Sequence, residues 1–538
     1  MILDFRAADC PDDIQADICV IGAGAAGITI AHALAGTSLS VCVVESGGLD
    51  FDGDTQALYE GHSVGLPWGT DLEFSRLRFF GGSTGHWGGG CVPLDAADME
   101  VRDWVPHSGW PIRRRDLDPY YDRARGVLGL PDYPFDDDRL LTALVKPPVV
   151  FDPALLKNIY YMASGNPRFG EFYRAELAAS GNVTVLLNAN LMEFAVNATA
   201  ATVRQASVRN LQGRGGRVRA RFFVLACGGI ENARLLLLSN SVSKPGLGND
   251  RDLVGRFFMD HPSGKLGSIF SNHAERLTGS YDRHLPDPKL PIFPNVVLAR
   301  ALQENQRILN GRLRPEDFED HVPDGVAALR NLRGELADGR VHALPSEILR
   351  IVADLDDVLP SVVRVLRGRP AVLTHRIDFE GFFEQAPNPD SRVTLGDDTD
   401  ALGQRRVDLD WRLTELDRRT YETAARVFPP SWRGLTLGGC SWSPGCDPRA
   451  PRSPVWGGSR ITWVRPACPP IPPAAWWMPI AGFMASTTCM LPEVRCFRPA
   501  AGRFRPSRSS RWRCGCRIRC ASFWARTGRI FYASVLAG

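Results

Sequence analysis

The amino-acid sequence predicts an α/β protein with three parts: a domain of parallel strands and helices, a second, smaller α+β domain, and a C-terminal segment without regular structure. Three observations support this prediction. The chain has 538 residues, which is too long for a single hydrophobic core. Its N-terminal part reads as strand, glycine-rich turn, helix and strand. Beyond Phe428 the composition changes abruptly, so the last part differs in kind from the rest.

The segment DICVIGAGAAGITIAHALA predicts a Rossmann-like, dinucleotide-binding βαβ unit. After a short apolar strand, Ile18–Ile21, Gly22 is expected to make the tight turn. Gly24 is expected to let the backbone approach a pyrophosphate, and Gly27 to allow close helix packing. A second apolar strand, SVCVVES, reaches Glu45, 18 residues after Gly27, where a carboxylate can bind ribose hydroxyls. The alternative for the same pattern is a βαβ unit that binds no ligand.

A glycine-rich loop follows in the segment RLRFFGGSTGHWGGG. Six of the ten residues from Gly81 to Gly90 are glycine. Glycine loses the most backbone entropy on folding, so such a run does not form regular structure cheaply. The loop is therefore interpreted as a place where a large ligand lies against the backbone.

With these segments, the chain resembles the glucose-methanol-choline oxidoreductases, and most of all the branch that contains pyranose oxidase and the sugar and polyol dehydrogenases. Further matches are ACGGIENARLLLLSN, LVGRFFMDHP and EQAPNPDSRVTLGD, and the resemblance covers roughly residues 15–428. It implies FAD as the cofactor and oxidation of a CH–OH group in a sugar, polyol or other alcohol, with hydride passing to the flavin. A quinone, a cytochrome or oxygen would accept the electrons.

The resemblance also implies which residues contact FAD. The Gly22–Gly27 turn and Glu45 would hold the ADP half, and the Gly81–Gly90 loop the flavin half. The expected contact set is Gly22, Gly24, Gly27, Glu45, Ser46, Gly81, Gly82, Ser83, Gly85, His86, Trp87, Gly88, Cys227 and Gly228.

The roles of three polar residues, His86, Asp260 and His261, are considered separately. His86 resembles the histidine that is joined covalently to the flavin in some pyranose oxidases. The alternative is a neutral histidine, hydrogen-bonded in a loop near the isoalloxazine. Asp260 and His261 fall in a predicted turn and are interpreted as structural, because turns favour Asp for local hydrogen bonding. No metal site is predicted.

The three parts have expected boundaries: a FAD-binding domain at 1–262, with pieces of the substrate domain near 100–180, the substrate domain at 263–428, and an aberrant tail at 429–538. Strands are expected in Asn182–Phe194 and Arg217–Gly229, and amphipathic helices between Asn305 and Arg369. Acids at Asp354, Asp356 and Asp357 favour scaffold helices over the alternative of a membrane-surface helix. A helix over Thr414–Phe428 is expected to stop at the prolines that follow.

The tail that begins at Pro429 has an unusual composition. It contains sixteen Arg, no Lys and two acids, so it carries +14 while the rest of the chain carries −11. Eight of the thirteen Trp and eight of the thirteen Cys also lie there. Arginine with interleaved tryptophan is typical of nucleic-acid binding. The lack of lysine argues against that function, and Cys514, Cys516 and Cys520 have no second ligand cluster at zinc spacing.

A catalytic histidine is missing from the expected place. Removal of a hydroxyl proton needs a positioned base, for which histidine is suited. The resemblance implies this histidine late in the chain, in an HxxGT stretch, and a second His or Asn beyond it. The last histidine of this sequence is His375. The catalytic residues of the printed chain are therefore unknown.

A shift of the reading frame near Phe428 explains this absence. If each codon starts with the last base of the preceding residue's codon, Trp476–Pro479 becomes VVDA, and the whole segment to Arg498 allows VVDADCRIHGIDNLYVAGSSVFP. The eight residues from Ile461 allow HHMGTTRM, which restores the family's base near Ile461. Phe504 falls at the second catalytic position, where no shifted codon gives His or Asn.

Two other functions remain open at this point. A non-catalytic interaction protein would use the basic tail to bind a partner. A pyridine-nucleotide flavin reductase would share the first βαβ unit but normally shows a second glycine fingerprint, which the sequence lacks. No signal peptide or transmembrane segment is recognised, so the expected location is the cytoplasm, or the periplasm through an exported partner subunit.

Overall fold

The computed structural model describes residues 1–67, 71–130, 149–270, 281, 284–287, 290–318, 322–337, 344–366, 372, 376–432, 441–444, 454–457 and 460–463. Several sequence predictions lie outside these residues, namely those on His375, Trp476–Arg498, Phe504 and the cysteines 514, 516 and 520. The chain divides into two compact units. The first comprises Met1–Phe318 and Thr374–Phe483, and the second comprises Glu319–Leu373 and Met484–Gly538.

The strands of the described chain are β1 Ile2–Asp4, β2 Asp13–Ile21, β3 Val41–Val44, β4 Gly61–Ser63, β5 Gly90–Cys91, β6 Leu156–Ala163, β7 Val183–Leu187, β8 Asn190–Val196, β9 Val203–Arg209, β10 Gly215–Leu225, β11 Ser263–Phe270, β12 His284–Asp287, β13 Leu290–Leu298, β14 Gly311–Phe318, β15 Arg376–Phe383, β16 Arg392–Thr399, β17 Arg405–Asp410, β18 Ser441–Pro444, β19 Pro454–Gly457 and β20 Arg460–Trp463. The helices are α1 Ala25–Leu34, α2 Gly53–Gln56, α3 Ala96–Met99, α4 Arg114–Leu128, α5 Phe169–Phe172, α6 Arg174–Ala179, α7 Gly229–Leu238, α8 Arg300–Gln306, α9 Asp324–Ala337, α10 Leu344–Ala353, α11 Leu355–Leu366 and α12 Glu415–Trp432.

The first sheet of the first unit has the order β1-β7-β3-β2-β10-β9-β8. Its first five strands are parallel, and β9 and β8 extend it in antiparallel pairing. Strand β3, the middle one of the five parallel strands, is a run of four buried apolar residues, as expected of a parallel strand covered on both faces. The βαβ prediction is confirmed. Strand β2 starts earlier than predicted, at Asp13, because β10 pairs with it along its length.

Each face of this sheet has its own apolar core. On one face α1, α5 and α6 pack through Ile28, Phe169 and Leu177. On the other face the core includes Phe194 from β8 and Leu235 from α7. The small residues of α1 let that helix lie close to the strands, which fixes where it begins relative to β2.

The second sheet of the first unit is mostly antiparallel, in the order β19-β20-β11-β15-β14-β13-β6-β5. Helix α12 packs on it, where the ring of Phe428 lies 4.6 Å from that of Phe379, and Tyr421 lies 5.4 Å from Phe383. Strand β6 comes from the N-terminal half of the chain and pairs with β13. A third, small sheet has the order β16-β17-β4.

The prediction that the helix after Thr414 stops at the prolines is wrong. Helix α12 continues through Pro429 and Pro430 to Trp432. Proline removes one hydrogen bond, but its fixed φ is compatible with helical backbone. At the start of α12, Asp417 Oδ2 accepts hydrogen bonds from the Thr414 N–H and hydroxyl, both at 2.6 Å.

The tail was predicted to be irregular, and this is wrong within its described part: residues 429–432 continue α12, and three short segments form strands. These are β18, β19 and β20. β18 pairs antiparallel with β11, and β20 meets β11 where Arg460 is opposite Ser263. Strand pairing uses backbone groups, so it places weak demands on side-chain identity.

The described part of the second unit consists of α9, α10 and α11, in agreement with the predicted amphipathic helices. Leu349, Val352 and Leu359 are exposed on α10 and α11. Among the described residues, no helix is both long and apolar enough to cross a bilayer.

Candidate functional site

Two helices begin at the same edge of the first sheet. Strands β2 and β10 are parallel neighbours that end opposite each other at Ile21 and Leu225. Helix α1 begins four residues after the first end, at Ala25, and α7 begins four residues after the second, at Gly229. Helix N-termini present free N–H groups and a positive dipole end, so this edge can bind an anionic ligand such as a pyrophosphate.

The Gly22–Gly27 turn has the geometry that its sequence predicts. Gly22 has φ of +98°, and its N–H donates to the Val44 carbonyl at 2.8 Å. A Cβ on Gly27 would lie 1.9 Å from the Gly22 carbonyl oxygen, so only glycine allows this close packing. A Cβ on Gly24 would have no atom within 4 Å. The protein therefore leaves open space at Gly24, where the approach of a pyrophosphate stays a prediction.

Glu45 lies directly after β3 and is 5% exposed. Its Oε2 accepts a hydrogen bond from the Ala23 N–H at 2.8 Å, and its Oε1 accepts one from the Gly47 N–H at 2.9 Å. The Ser46 hydroxyl lies 3.4 Å from Oε1. These bonds fix the carboxylate beside the glycine turn, where the sequence predicted an acid for ribose hydroxyls.

The Gly81–Gly90 loop packs directly on the same turn. The Gly81 N–H donates to the Ala23 carbonyl at 2.8 Å, and a Cβ on Gly82 would lie 3.0 Å from the Gly24 Cα. Gly81 has φ of +105° and Gly82 of +53°, which glycine adopts without strain. Residues Gly82–Gly85 form one short 3₁₀ turn, and Ser83 and Gly88 are exposed. The loop is thus largely irregular, and it packs against the Gly22–Gly27 turn.

His86 lies at the end of this 3₁₀ turn with a polar atom that is buried. Its Nε2 is shielded from solvent and has no hydrogen-bond partner in the described part of the chain. Burial, together with the positive charge of Arg168, lowers the pKa of His86, so the imidazole is neutral. The predicted position in a loop is confirmed, and the choice between a covalent and a non-covalent flavin contact remains a prediction.

Arg168 and Trp87 hold the loop around His86. Arg168 Nη1 donates to the Thr84 carbonyl at 2.9 Å and to the Trp87 carbonyl at 3.1 Å. The indole N–H of Trp87 donates to the Pro167 carbonyl. The 3₁₀ turn is therefore fixed from outside by the segment before α5.

Cys227 and Gly228 complete the edge at the start of α7. The Ala226 N–H donates to the Ile21 carbonyl at 2.8 Å, and Cys227 Sγ lies 3.1 Å from the same oxygen. Burial raises the pKa of Cys227 to about 12, so it is a thiol at neutral pH. Gly228 has φ of +82° and open space around the position of a Cβ. Three distant segments of sequence thus meet at one site.

The sequence analysis missed a buried ionic cluster behind this site. Glu231, on the first turn of α7, contacts Arg76 at 3.1 Å and Arg78 at 3.5 Å. Burial alone raises the pKa of Glu231, but the positive charges of the arginines outweigh burial and hold it below its usual value. The signal was present in the segments RLRFF and GGIENAR, where charged residues interrupt apolar runs beside the glycine motifs.

A second polar row lies on the face of the second sheet. Arg312 on β14 lies between two rings, with its Cζ 5.3 Å from the Tyr161 ring and 4.3 Å from the Phe382 ring. The His261 ring stacks on Phe382 at 5.7 Å, and its Nδ1 lies 2.5 Å from Asp260 Oδ1. The local hydrogen bond agrees with the structural interpretation of Asp260 and His261.

No family model matches the chain. It is similar to the 6'''-hydroxyparomomycin C oxidase of Streptomyces lividus, with 29% identity over 51% of this chain and 62% of that protein. It is also similar to the fructose dehydrogenase large subunit of Gluconobacter japonicus, with 24% identity over 48% and 61%. For the 2-methyl-1,2-propanediol dehydrogenase of Mycolicibacterium austroafricanum, the identity is 26% over 47% and 56%. The alignments thus span about three fifths of the length of these relatives.

Among solved structures, a formate oxidase aligns with a TM-score of 0.41 and 16% identity, over 78% of this chain and 81% of that one. The pyridoxine 4-oxidase from Mesorbium loti aligns with a TM-score of 0.41 and 16% identity, over 81% and 84%. The sequence relatives are oxidoreductases of the glucose-methanol-choline type, and the chain resembles that family in its glycine turn, its glycine-rich loop and its ACGGIENAR segment.

Proposed function

We propose that the gene encodes an FAD-dependent oxidoreductase that oxidises a CH–OH group of a sugar, a polyol or another alcohol. The observation that carries this proposal is the meeting of three segments at the carboxyl edge of β2 and β10. The Gly22–Gly27 turn, the Gly81–Gly90 loop and the Cys227–Gly228 turn are in direct contact there. A βαβ unit that binds nothing would have no need of the glycine-rich loop packed on it.

The residues present fit FAD. Gly24 and Gly228 leave open space beside two helix N-termini, which suits a pyrophosphate. Glu45 is fixed where it can accept hydrogen bonds from ribose hydroxyls. The buried Nε2 of His86 offers a polar contact to the flavin half. Bound FAD would supply the hydride acceptor, and the residues named here would bind and orient it.

The proposed substrate class follows from the relatives and from the second sheet. The relatives are named for 6'''-hydroxyparomomycin C, fructose and 2-methyl-1,2-propanediol. The row of Tyr161, Arg312 and Phe382 combines aromatic faces with a guanidinium, which suits an oxygen-rich ligand with apolar ring faces. The electron acceptor is proposed to be a quinone, a cytochrome or oxygen.

We further propose that the printed chain has lost this activity because its last 110 residues are read out of frame. The support is the order in which family segments return in the shifted frame, with forced codons such as Val at Trp477 and Gly at Val464. Resequencing the DNA across codons 425–435 tests this proposal. An intact printed frame would exclude it.

The enzymatic proposal is tested with two purified chains, the printed one and one with the frame restored. Absorption and fluorescence titration should show FAD binding by the restored chain, and an alcohol or sugar substrate should bleach its flavin under anaerobic conditions. The printed chain should show no bleaching. Bleaching by the printed chain would refute the loss of activity, and absence of FAD binding by the restored chain would refute the function itself.

The same preparations decide the nature of the His86 contact. Acid precipitation separates a flavin that is covalently joined to the protein from one that is not. Yellow colour retained in the pellet, and lost in the His86→Ala variant, would show a covalent bond. Colour released to the supernatant would show the non-covalent alternative.

A further inference from the structure

A buried cluster of charges lies behind the ADP half of the proposed site. It is centred on Glu231, and we call it the Glu231 cluster: Arg76, Arg78, Glu231, Arg234 and Asp400. Arg234 Nη2 contacts Asp400 Oδ2 at 2.7 Å, and both side chains are almost fully buried. The cluster joins three regions of the chain, because its members come from the segment before the Gly81–Gly90 loop, from α7, and from the turn between β16 and β17.

Arg78 is the member that continues toward the cofactor site. Its Nη1 lies 3.5 Å from Glu231 Oε2, its Nη2 donates to Asn190 Oδ1 at 3.4 Å, and its guanidinium lies 4.6 Å from the centre of the Tyr59 ring. The side chain is 9% exposed. These contacts hold Arg78 from several sides, so the backbone that it carries is held as well.

The backbone of Arg78 is pressed against the residues that follow Glu45. A Cβ on Gly47 would lie 2.1 Å from the Arg78 carbonyl oxygen. Two residues further, the Phe80 N–H donates to the Gly48 carbonyl at 2.9 Å. Since the Gly47 N–H is one of the two backbone donors to the Glu45 carboxylate, the position of Arg78 determines where Gly47, and with it Glu45, can lie.

The charges in this region balance only if Glu45 is included. The Glu231 cluster holds three arginines and two acids. A buried uncompensated charge is costly, and Glu45 is the further buried acid that acts on Arg78. Arg78 is thus anchored by Glu231, and the charge of Glu45, the carboxylate proposed to bind the ribose, also acts on it.

We propose that Arg78 is a positioning residue for cofactor binding: anchored by Glu231, it fixes the Glu45 carboxylate and joins the Gly81–Gly90 loop to the dinucleotide turn. The inference rests on the proposed function. It goes further because it makes the affinity for the ADP half of FAD depend on a side chain outside the glycine motifs. The chemical class that it concerns is an adenosine diphosphate group with free ribose hydroxyls.

The test uses the frame-restored chain and its Arg78→Met and Arg78→Lys variants. Dissociation constants are measured for FAD, for ADP and for FMN, which lacks the adenosine. Arg78→Met should weaken FAD and ADP binding about tenfold or more, because it removes the contacts with Glu231 and Asn190 that hold the Arg78 backbone against Gly47. FMN binding should change much less. Lysine keeps the charge but not the planar contacts, so Arg78→Lys should recover part of the lost affinity.

Arg102→Met provides the matched control. Arg102 is also a buried arginine paired with one glutamate, at 2.8 Å from Glu384 Oε2, but it contacts none of the three segments of the site. The Arg102→Met substitution should lower the unfolding temperature of the apoprotein without a selective loss of ADP affinity. Equal effects of the two substitutions on ADP binding, or an unchanged ADP affinity in Arg78→Met, would overturn the inference.

Two further results keep the test decisive. If Arg78→Met does not fold, Arg78→Lys must itself weaken ADP more than FMN, and an equal loss of both would refute the positioning role. If the frame-restored chain without any substitution binds neither FAD nor ADP, the proposed function fails. If it binds both and Arg78 makes no selective difference, only the inference fails.

Discussion

The two large sheets of the first unit differ in the kind of group that they present. The first sheet contributes mainly backbone, in the form of glycine turns, carbonyls and the N–H groups of two helix starts. The second sheet presents side chains from several strands, among them Tyr161 on β6, Arg312 on β14 and Phe382 on β15. Backbone geometry tolerates very few residue types, whereas an antiparallel strand accepts many. The glycine turns of the first sheet are therefore recognisable in the sequence, whereas the row of Tyr161, Arg312 and Phe382 is not.

Gly27→Ala should have the largest effect, because its Cβ would overlap the Gly22 carbonyl at 1.9 Å. Neither atom can move without breaking the β2–α1 turn, so we expect a loss of about 4 kcal/mol or more of unfolding free energy. Chemical denaturation of the apoprotein measures it. If the variant unfolds at the same denaturant concentration as the parent, the backbone account of the first sheet is wrong.

Phe383→Ala should damage the second sheet by a different mechanism. Phe383 is 2% exposed and packs against Tyr421 of α12. Its truncation should cost about 3 to 5 kcal/mol through lost contacts and a cavity. The frame-restored chain that carries Phe383→Ala should still bind FAD under conditions where it is folded. Loss of FAD affinity in step with stability would show that the two sheets are not separable in this way.

Glu231→Gln should change how stability depends on pH. Because its folded pKa lies below the usual value of 4.5, the ionised carboxylate contributes stability above that pH, and the contribution is lost as the pH falls through the folded pKa. Removing the charge from the buried cluster should cost about 3 kcal/mol at neutral pH.

The difference in unfolding free energy between the parent and Glu231→Gln should therefore shrink as the pH falls below 4.5. Glu304→Gln on the surface of α8 is the control, since it removes the same charge from a site that is half exposed. A constant difference between pH 7 and acid would contradict the assignment of Glu231 as an ionised group.

Gly24→Ala should have the smallest effect on stability and a selective effect on binding. Its φ of −83° suits alanine, and the new Cβ would have no protein atom within 4 Å. If a pyrophosphate lies there, FAD affinity should fall about tenfold, or about 1.4 kcal/mol. Fluorescence titration measures it, with Gly27→Ala as the contrasting change in the same turn. Unchanged affinity would place the pyrophosphate elsewhere.

Much of the first sheet could be predicted because its constraints are local. Gly22, Gly27 and Glu45 follow a spacing that is set by one turn and one strand. The sequence shows charged residues beside the glycine motifs, but it does not show that Arg78 pairs with Glu231, because these residues are far apart in sequence and the ion pair depends on the completed fold. The course of α12 beyond Pro429 was also missed, because the local cost of proline was given more weight than the packing of the helix on the second sheet.

The pairing of β18 with β11 bears on how this protein should be shortened. Residues Gly267–Phe270 would otherwise form part of a free sheet edge, and a free edge is a template for pairing with other molecules. The ladder from Ser441 to Pro444 covers that edge with amide and carbonyl groups, which exist in any reading frame. A truncated chain for crystallisation should therefore end after Pro444 rather than at Trp432, since the shorter version would carry its own site for association.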